Sequence, residues 1–401
     1  MRGTHASGGR SAGDEPLGRL AAATADLDPP FAALDLCSLW RNADTLVRRA
    51  GGTPIRVASK SVRCRWVLQN VLTRQGFSGL MCYSLAEACW LAGQGFTGIL
   101  LGYPSADRQA LRELAGDPEL LARITLMVDD EAQLDFVRRV VGKPARPIRI
   151  CLDVDASLRI GRLHLGVRRS PVRTPAEAAA FAERIPADFT LVGMMLYEAQ
   201  IAGLPDTSPA VGWVKRRSAR ELSTRRTEVV QAIRATGARL EFVNCGGTGS
   251  LEVSAADPSV TEVTAGSGLY HPTLFDGYRT FRGEPAMFFA LPVVRRPTGE
   301  VATVYGGGYP ASGPAGSSRL PRPVSDGLSL LGTEGAGEVQ TPVTGPVAEQ
   351  LRIGDAVWFR HAKAGELLER FDQVHLVERA EDGTLSRRAV PSYRGESKNF
   401  G

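Results

Sequence analysis

Short apolar runs alternate with longer amphipathic stretches from Arg56 onward. The apolar runs have the length of buried strands, and the stretches between them have helical period. Strands that alternate with helices in this way favour a parallel sheet. The eight predicted strands are Arg56–Lys60, Gly79–Ser84, Gly98–Pro104, Ile124–Asp130, Ile148–Asp155, Leu191–Tyr197, Phe242–Gly246 and Val260–Ala265.

Eight strands with intervening helices are what a closed (β/α)8 barrel of the TIM type needs, over roughly 200–250 residues. An open, doubly wound sheet is the structural alternative. The glycine fingerprint for a dinucleotide, expected after the first strand of such a sheet, does not occur after Lys60. The pattern therefore favours the barrel.

From about Glu284 the helical period disappears. Short β-rich runs separated by Gly, Pro and Ser replace it, which is typical of an all-β domain. The stretch Gly306–Pro323 is especially rich in these residues and predicts a loop or lid. The β-rich runs are Met287–Val294, Val301–Tyr305, Val357–Phe359 and Gln373–Val377.

The chain is thus predicted to be an α/β protein, a TIM-like barrel plus a C-terminal all-β domain. The expected segments are a flexible tail at 1–30, an N-terminal segment at 31–52 that joins the β domain, the barrel at 53–283 and the β domain at 284–401. The tail lacks the apolar core of a signal peptide, and no apolar run is long enough to span a bilayer. A cytoplasmic protein without a membrane partner is expected.

The net charge of +5 raises the question of nucleic-acid binding. The basic residues are scattered, and their local groups at 215–217 and 225–226 fall in a predicted amphipathic helix, where a solvated face explains them. No basic stripe or binding motif accompanies the charge. No nucleic-acid partner is therefore predicted.

Lys60 ends the first predicted strand. In a barrel the C-terminal ends of the strands surround the active site. A lysine at that position faces the barrel mouth, where desolvation disfavours the charged form and makes the amine a nucleophile that can form an imine. A solvated lysine at a strand end explains the position equally well.

Two glycine-rich turns follow the seventh and eighth predicted strands, at Gly246-Gly247-Thr248-Gly249-Ser250 and at Gly266-Ser267-Gly268. Glycine lets the backbone approach an anion closely, and N–H groups at a helix start donate to it. Late loops of barrels commonly hold a phosphate. Tight turns without a ligand are the alternative. Together with Lys60, the turns indicate an imine-forming lysine that faces a phosphate site.

With these motifs the sequence resembles the fold-type III pyridoxal-phosphate enzymes, the family of alanine racemase, and most closely its D-threonine aldolase and D-serine dehydratase branch. The resemblance runs from about Phe31 to the C-terminus, and the order and spacing of its short motifs make it specific. The matching pieces are Val57-Ala58-Ser59-Lys60, Gly246-Gly247-Thr248, Gly268-Leu269-Tyr270 with Phe275-Asp276, Gly306-Gly307-Gly308, and Gly354-Asp355 before His361.

The resemblance implies that Lys60 holds pyridoxal 5'-phosphate as an imine and that Tyr197 lies near the pyridine ring. It also implies an alanine racemase-like pairing of barrel and β domain, and a homodimer in which the partner subunit completes the active site. The residues expected around the phosphate are Gly246, Gly247, Thr248, Gly266, Ser267, Gly268 and Tyr270.

Three departures from the branch weigh against its metal site and against a strict copy of its chemistry. Members place a divalent ion on a His-x-Cys or His-x-Asp pair, where this chain has His361-Ala362-Lys363. A protonated lysine has no lone pair for a metal. The run Thr333–Glu338 replaces a Glu-His-Gly, and His164 stands where an arginine precedes Gly-Val. The pattern argues against a divalent metal, although Glu366 could join His361 as a ligand.

His361 and Lys363 are the further candidates for catalysis. His361 would act as an acid–base group on a substrate hydroxyl, and Lys363 would supply the positive charge that the ion supplies elsewhere. A buried structural histidine is the alternative.

The predicted function is that of a pyridoxal-phosphate-dependent lyase, an aldolase or a dehydratase and deaminase. Its substrate would be a small β-hydroxy amino acid, and the D configuration follows from the resemblance. The alternatives are a pyridoxal-phosphate-dependent racemase, a non-catalytic carrier of the cofactor, and a sugar-phosphate aldolase that uses a lysine imine. The second domain argues against the carrier, because those carriers are single barrels.

Overall fold

The structure is a computed structural model and describes residues 15–206, 208–325 and 327–400. Two compact units alternate along the chain. Unit 1 contains the described residues up to Asn42, Leu269–Leu274 and Gly283–Ser397. Unit 2 contains Ala43–Gly268, Phe275–Arg282 and the described residues from Lys398. The predicted domain bounds stay predictions.

The α-helices of the described residues are α1 (Pro16–Ala23), α2 (Leu36–Arg49), α3 (Arg65–Leu72), α4 (Leu85–Gly93), α5 (Arg108–Gly116), α6 (Pro118–Arg123), α7 (Glu131–Val141), α8 (Pro175–Glu183), α9 (Ala199–Ala202), α10 (Pro209–Ala235), α11 (Leu251–Ala255) and α12 (Ser267–Tyr270).

The strands are β1 (Phe31–Asp35), β2 (Ile55–Ala58), β3 (Phe77–Cys82), β4 (Ile99–Leu101), β5 (Ile124–Val128), β6 (Ile148–Asp153), β7 (Leu158–Ile160), β8 (Leu163–Leu165), β9 (Phe189–Leu196), β10 (Phe242–Cys245), β11 (Glu262–Ala265), β12 (Met287–Arg295), β13 (Val301–Tyr305), β14 (Arg322–Pro323), β15 (Ser329–Leu330), β16 (Gln340–Thr344), β17 (Ala356–Arg360), β18 (Gln373–Arg379) and β19 (Leu385–Pro391).

Unit 2 contains a closed barrel of eight strands, which confirms the predicted fold. The order around the barrel is β2, β3, β4, β5, β6, β9, β10 and β11, and β11 pairs in parallel with β2 to close it. Every predicted barrel strand is present, with ends that differ by up to three residues. Parallel strands are buried on both faces, which is why they appear in the sequence as unbroken apolar runs.

Side chains from different strands fill the barrel interior. A cluster of mutually packed residues contains Leu100, Met127, Cys151, Val192, Met195 and Phe242. At the start of the strands, the Arg56 guanidinium pairs with Glu262 at 2.7 Å, and both side chains are about nine-tenths buried. The same guanidinium lies 5.3 Å from the centroid of the Phe242 ring. A buried ion pair therefore closes the amino-terminal end of the barrel.

A two-stranded hairpin, β7 and β8, interrupts the barrel pattern between β6 and α8. Its strands are antiparallel, with Leu158 opposite Leu165. Asp155 anchors the root of the hairpin, because its carboxylate accepts hydrogen bonds from Arg159 at 2.7 Å and from Arg173 at 3.2 Å. The pattern of apolar and polar residues did not predict this hairpin.

Unit 1 is built around a nine-stranded sheet, which confirms the predicted β-rich region. Strand β1 lies inside this sheet, antiparallel to β12 and parallel to β18. Beside it, Phe31 and Trp358 meet edge to face with ring centroids 5.4 Å apart. The stretch predicted as a loop or lid, Gly306–Pro323, runs as loops with a 3-10 turn at Ser317–Arg319 and ends in β14.

The prediction of a flexible tail at 1–30 is wrong for its described part, and residues 1–14 lie outside the described residues. Helix α1 starts with proline at its first turn and packs Leu17 and Leu20 against the unit 1 core. Arg19 of the helix donates two hydrogen bonds to Asp35, at 2.8 and 2.7 Å. The composition of the first residues masked this short amphipathic helix.

Among the described residues, no helix combines the length and the apolar composition that crossing a lipid bilayer requires.

We expect Asp35→Ala to destabilise unit 1. Arg19 and Asp35 are 4% and 0% exposed, so Asp35→Ala removes the carboxylate of a fully buried ion pair. Breaking a buried pair in this way lowers the free energy of unfolding by about 3–5 kcal/mol. Urea denaturation followed by tryptophan fluorescence measures the loss. The control is Asp26→Ala, which removes an exposed partner of Arg387 and should change the curve little; equal losses in the two variants would contradict the prediction.

Candidate active site at the carboxyl ends of the barrel strands

Because all barrel strands are parallel, the residues that follow them meet at one rim. Side chains two positions apart on a strand share a face. Cys151 and Met195 belong to the interior cluster, so Asp153 and Tyr197 continue the same interior face toward this rim. Lys60 follows β2 at the same rim. The strand directions therefore bring three chemically useful groups together.

Lys60 lies in a 3-10 turn, Ser59–Ser61, directly after β2. The strand ends at Ala58, two residues earlier than predicted. Ser59 fixes the turn, since its hydroxyl donates to the carbonyl oxygen of Met81 at 3.1 Å. The Lys60 side chain is exposed, so burial does not supply the desolvation expected from the sequence.

The Lys60 amine has a phenol as its hydrogen-bond partner. Its Nζ donates to the hydroxyl oxygen of Tyr103 at 2.6 Å and lies 5.2 Å from the centroid of the Tyr103 ring. Tyr103 follows β4, two strands away from β2 in the barrel. This contact fixes the position of the amine at the rim.

Arg169 joins two tyrosines across the rim. Its guanidinium carbon lies 5.2 Å from the centroid of the Tyr103 ring and 5.3 Å from that of Tyr197. Burial alone would raise the pKa of Tyr103, but the nearby charges of Lys60 and Arg169 outweigh burial and lower it. Burial raises the pKa of Tyr197 to about 12, although Arg169 opposes the rise. The two phenols therefore differ in acidity at the same rim.

Two acidic residues lie at the ends of neighbouring strands: Asp153 is the last residue of β6, and Asp129 directly follows β5. Burial raises the pKa of Asp153 to about 7; Arg169 opposes the rise, and Asp129 and Asp155 add to it. Burial also raises the pKa of Asp129, whose carboxylate accepts a hydrogen bond from Gln133 at 2.7 Å. Asp153 therefore exchanges its proton near neutral pH.

The first glycine-rich turn rests on a buried carboxylate. Gly246 has a φ of +84°, a conformation that favours glycine. Its N–H donates to Glu198 at 3.4 Å, and the hydroxyls of Ser250 and Ser254 donate to the same carboxylate. Glu198 is in turn 3.7 Å from the guanidinium of Arg226. Buried charges therefore hold the backbone of this turn in place.

The two glycine-rich turns contact each other directly. The Gly268 N–H and the Ser267 hydroxyl donate to the hydroxyl oxygen of Thr248, at 3.1 and 3.2 Å. A Cβ added to Gly268 would come within 2.8 Å of the Thr248 side chain. A Cβ added to Gly247 would lie 3.4 Å from the Tyr197 ring. The turns thus form one glycine-lined surface that reaches Tyr197.

The second turn also contacts the lysine turn. A Cβ added to Gly266 would lie 2.6 Å from the carbonyl oxygen of Ala58 and 3.0 Å from the Ser61 Cβ. Lys60 lies between these two residues in the chain. The structure therefore brings the amine, both glycine turns and Tyr197 together around one rim of unit 2.

The other predicted site residues, Tyr270, His361 and Lys363, belong to unit 1. The rings of Tyr270 and His361 meet edge to face, with centroids 6.5 Å apart. His361 directly follows β17, and its carbonyl oxygen accepts from the N–H of Thr273 at 3.1 Å. His361 is 4% exposed, whereas Lys363 is half-buried.

Burial lowers the pKa of His361 to about 3, and the charge of Arg360 contributes to the shift. The imidazole is therefore neutral at physiological pH. A neutral imidazole accepts a proton, so this histidine fits the role of a base better than that of a cationic acid.

The Glu366 carboxylate, considered above as a metal ligand, is hydrogen-bonded to a backbone N–H. Both of its carboxylate oxygens accept from the Ser312 N–H, at 3.2 and 3.0 Å. Over the described residues, no group of three or more His, Cys, Asp or Glu side chains is arranged to hold a metal ion.

Sequence reasoning missed Tyr103, Asp153 and Arg169. Strand alternation could have found Asp153, because it stands two residues after the core residue Cys151. Tyr103 follows a short apolar run, as a packing residue would. Arg169 comes after a hairpin that the pattern did not reveal, so its approach to the rim had no local signal.

Comparisons with known proteins identify the family of the chain. The model of the family described as alanine racemase, N-terminal domain, matches residues 34–273. The D-threonine aldolase of Arthrobacter sp is 25% identical over 283 residues, which cover 68% of this chain and 70% of that protein.

Solved structures that share the fold include the two that follow. D-threonine aldolase from Filomicrobium marinum matches with a TM-score of 0.77 at 20% identity, covering 92% of this chain and 96% of that chain. D-threo-3-hydroxyaspartate dehydratase from Delftia sp. HT23 matches with a TM-score of 0.72 at 18% identity, covering 91% and 97%.

We expect Asp153→Asn to remove a pH dependence of stability. The pKa of Asp153 is about 7 in the folded protein and about 3.9 when unfolded, so between these values the folded state holds the extra proton. The wild type therefore loses stability as pH rises from about 4 to about 7, by up to ~4 kcal/mol from this group. Between pH 4 and pH 8, the free energy of unfolding should fall by less in the variant than in the wild type.

Urea denaturation at pH steps between 4 and 8 measures the difference between the two curves. The control is Asp382→Asn, since hydrogen bonding to Thr384 keeps the pKa of that exposed carboxyl below its ordinary value. Its difference curve should be flat from pH 5 to 8. A flat difference curve for Asp153→Asn would show that this carboxyl is ionised throughout the range.

Proposed function

The chain belongs to the alanine racemase N-terminal domain family, and from this premise we propose that it is a pyridoxal-phosphate-dependent lyase. Its substrate is a small D-configured β-hydroxy amino acid, which it cleaves as an aldolase or dehydrates as a deaminase. The observation that carries the proposal is the meeting of Lys60 with two glycine-rich turns at one rim of a closed barrel.

The residues at this rim fit pyridoxal phosphate. An added Cβ at Gly246, Gly247 or Gly268 would press on a neighbouring side chain, so the close packing of these turns depends on glycine. The Thr248 hydroxyl accepts from Ser267 and keeps its own hydrogen for donation to the phosphate. Lys60 follows β2, and the contact of Gly266 with Ala58 joins its turn to the phosphate side.

Each group has a distinct task in the proposal. Lys60 binds the aldehyde end of the cofactor through its amine, and the glycine turns, with Gly266 and Tyr270, hold the phosphate end. Tyr197 packs near the pyridine ring. When bound, the cofactor supplies a conjugated ring that takes up the electrons released from Cα of the amino acid. The protein selects the bond that breaks by orienting the substrate and by placing acid and base groups.

His361 takes the proton of the substrate hydroxyl, the step that retro-aldol cleavage requires. Its lowered pKa keeps it neutral and ready to accept that proton. Lys363 supplies a positive charge near the hydroxyl, in the role that a divalent ion has in the aldolase and dehydratase branch. Dehydration needs the opposite arrangement, with an acid beside the hydroxyl after Cα has lost its proton.

Lyase chemistry is favoured over racemisation by the relatives. The Arthrobacter protein and the Filomicrobium structure are both named D-threonine aldolase, and the Delftia structure is named as a dehydratase. The D configuration of the substrate is proposed on the same basis. A homodimer whose partner subunit completes the site, and a cytoplasmic location, stay proposals from the sequence.

A substrate screen tests the function. Purified protein with added pyridoxal phosphate is incubated with D- and L-threonine, serine and 3-hydroxyaspartate, and aldehyde, 2-oxo acid and inverted amino acid are measured. We expect aldehyde or 2-oxo acid from D isomers. Inverted product alone would identify a racemase instead. Parallel reactions with a chelator decide whether a divalent metal takes part.

The Lys60→Ala variant is the control for the cofactor. We expect the wild type to show an absorbance band near the visible edge that the variant lacks, together with loss of turnover. A colourless wild type that ignores added cofactor would favour the sugar-phosphate aldolase. A yellow wild type that is inert to every amino acid would favour the carrier.

The variants His361→Ala and Lys363→Ala test the acid–base assignment. We expect each to lower kcat by about 10²-fold or more, because positioned acid–base groups typically contribute 10²–10⁴-fold. The absorbance band should persist in both, since neither residue binds the aldehyde. Arg370→Ala in unit 1, whose guanidinium lies 5.6 Å from the Tyr309 ring, is the matched control for loss of a cation. Full turnover in both test variants would contradict the catalytic roles assigned to His361 and Lys363.

A further inference from the structure

We propose that Tyr103 is the acid–base partner of the Lys60 amine: it takes a proton from the Lys60 ammonium before the amine binds the cofactor aldehyde, and returns the proton when the amine leaves. This inference rests on the proposed binding of pyridoxal phosphate. It assigns a role to Tyr103, which contacts Lys60 at the rim.

The contact between the two groups is direct. The Lys60 Nζ lies 2.6 Å from the Tyr103 hydroxyl oxygen, so the two groups share a short, direct hydrogen bond. A proton can therefore pass between them without a bridging water. Because the amine nitrogen is the atom that reacts with the aldehyde, Tyr103 contacts a reacting atom.

The charges around the phenol favour such a transfer. Tyr103 is faced by Lys60 from the turn after β2, by Arg169 from the loop before α8 and by Tyr197 from the end of β9. Asp153 interacts with the charge of Arg169. The two cations stabilise the phenolate against the effect of burial, so the pKa of Tyr103 lies below its ordinary value.

The proton balance is simple. A proton passes from the Lys60 ammonium to the Tyr103 phenolate, which leaves a neutral amine and a neutral phenol. The amine lone pair is then free to form a bond to the aldehyde carbon, and the aldehyde oxygen leaves as water. When an amino acid replaces the lysine, the departing amine takes back a proton from the phenol.

The geometry separates this role from that of Arg169. Arg169 lies over the faces of Tyr103 and Tyr197 at 5.2 and 5.3 Å, so it fixes the orientation and charge of the phenol. It is a positioning residue for Tyr103. Replacing Arg169 should therefore shift the pH range in which Tyr103 accepts the proton of Lys60. Replacing Tyr103 should remove this proton transfer.

Capture of the cofactor by cofactor-free protein tests the proposal without any substrate. Rapid mixing with pyridoxal phosphate, followed by absorbance, gives the rate constant of capture, and Lys60→Met gives the background from other lysines. We expect Tyr103→Phe to slow capture at neutral pH by at least about tenfold. Its rate should climb more steeply with pH than that of the wild type, because only solvent then removes the proton.

Two measurements separate this role from a structural one. Pyridoxamine phosphate has no aldehyde, so its affinity for the wild type and for Tyr103→Phe should be equal if the rim is intact. Tyr305→Phe, at a tyrosine that is 49% exposed in unit 1, is the control for loss of a hydroxyl and should capture at the wild-type rate. Weaker binding of pyridoxamine phosphate with an unchanged capture profile would assign Tyr103 to packing.

A second variant keeps the test decisive if Tyr103→Phe fails to fold. Arg169→Gln should move the pH profile of capture upward, because it removes a charge that stabilises the phenolate. Equal capture profiles for the wild type, Tyr103→Phe and Arg169→Gln would overturn the proposal. A wild type that captures the cofactor through Lys60 but turns over no amino acid would overturn the proposed lyase and leave the role of Tyr103 standing.

Discussion

Closure of the parallel barrel is the constraint on which the site depends. The last strand, β11, pairs with the first, β2, so residues far apart in the chain become neighbours. Gly266 therefore packs against Ala58, and the loop after the eighth strand meets the turn that carries Lys60. The buried pair of Arg56 and Glu262 joins the same two strands at their other end. Without this pairing the Lys60 amine and the glycine-rich turns would not be neighbours.

The barrel could be predicted because its strands are buried on both faces. Such strands contain nearly continuous apolar residues, and their number and spacing left few alternatives. Each predicted strand is present, but the predicted carboxyl-terminal ends lie up to three residues beyond the observed ones. Lys60, for example, lies in a turn after β2 and not in the strand. Strand ends are set by pairing with neighbours, and a sequence pattern does not contain that information. The glycine turns, by contrast, carry their own local signal.

Other parts of the structure depend on contacts that a local pattern does not reveal. Helix α1 is short, and its packing requires Asp35, which lies on a strand beyond the helix. The strands of the β7–β8 hairpin have three residues each, and Ile160 and Leu163 are exposed, so no alternation of buried and exposed residues marks them. Tyr103 and Arg169 meet only because the barrel is closed and the hairpin places the arginine at its rim.

The charge of Arg169 influences the pKa of three acidic groups at the rim. It lowers the pKa of Tyr103, opposes the rise in the pKa of Tyr197 and opposes the rise in that of Asp153. All three effects have the same sign, because a cation favours the ionised form of every acid near it. The acids nevertheless differ, since burial outweighs the cation at Tyr197 and Asp153, whereas at Tyr103 the Lys60 ammonium adds to it. Lys60 and Arg169 together thus lower the pKa of Tyr103 although burial opposes them.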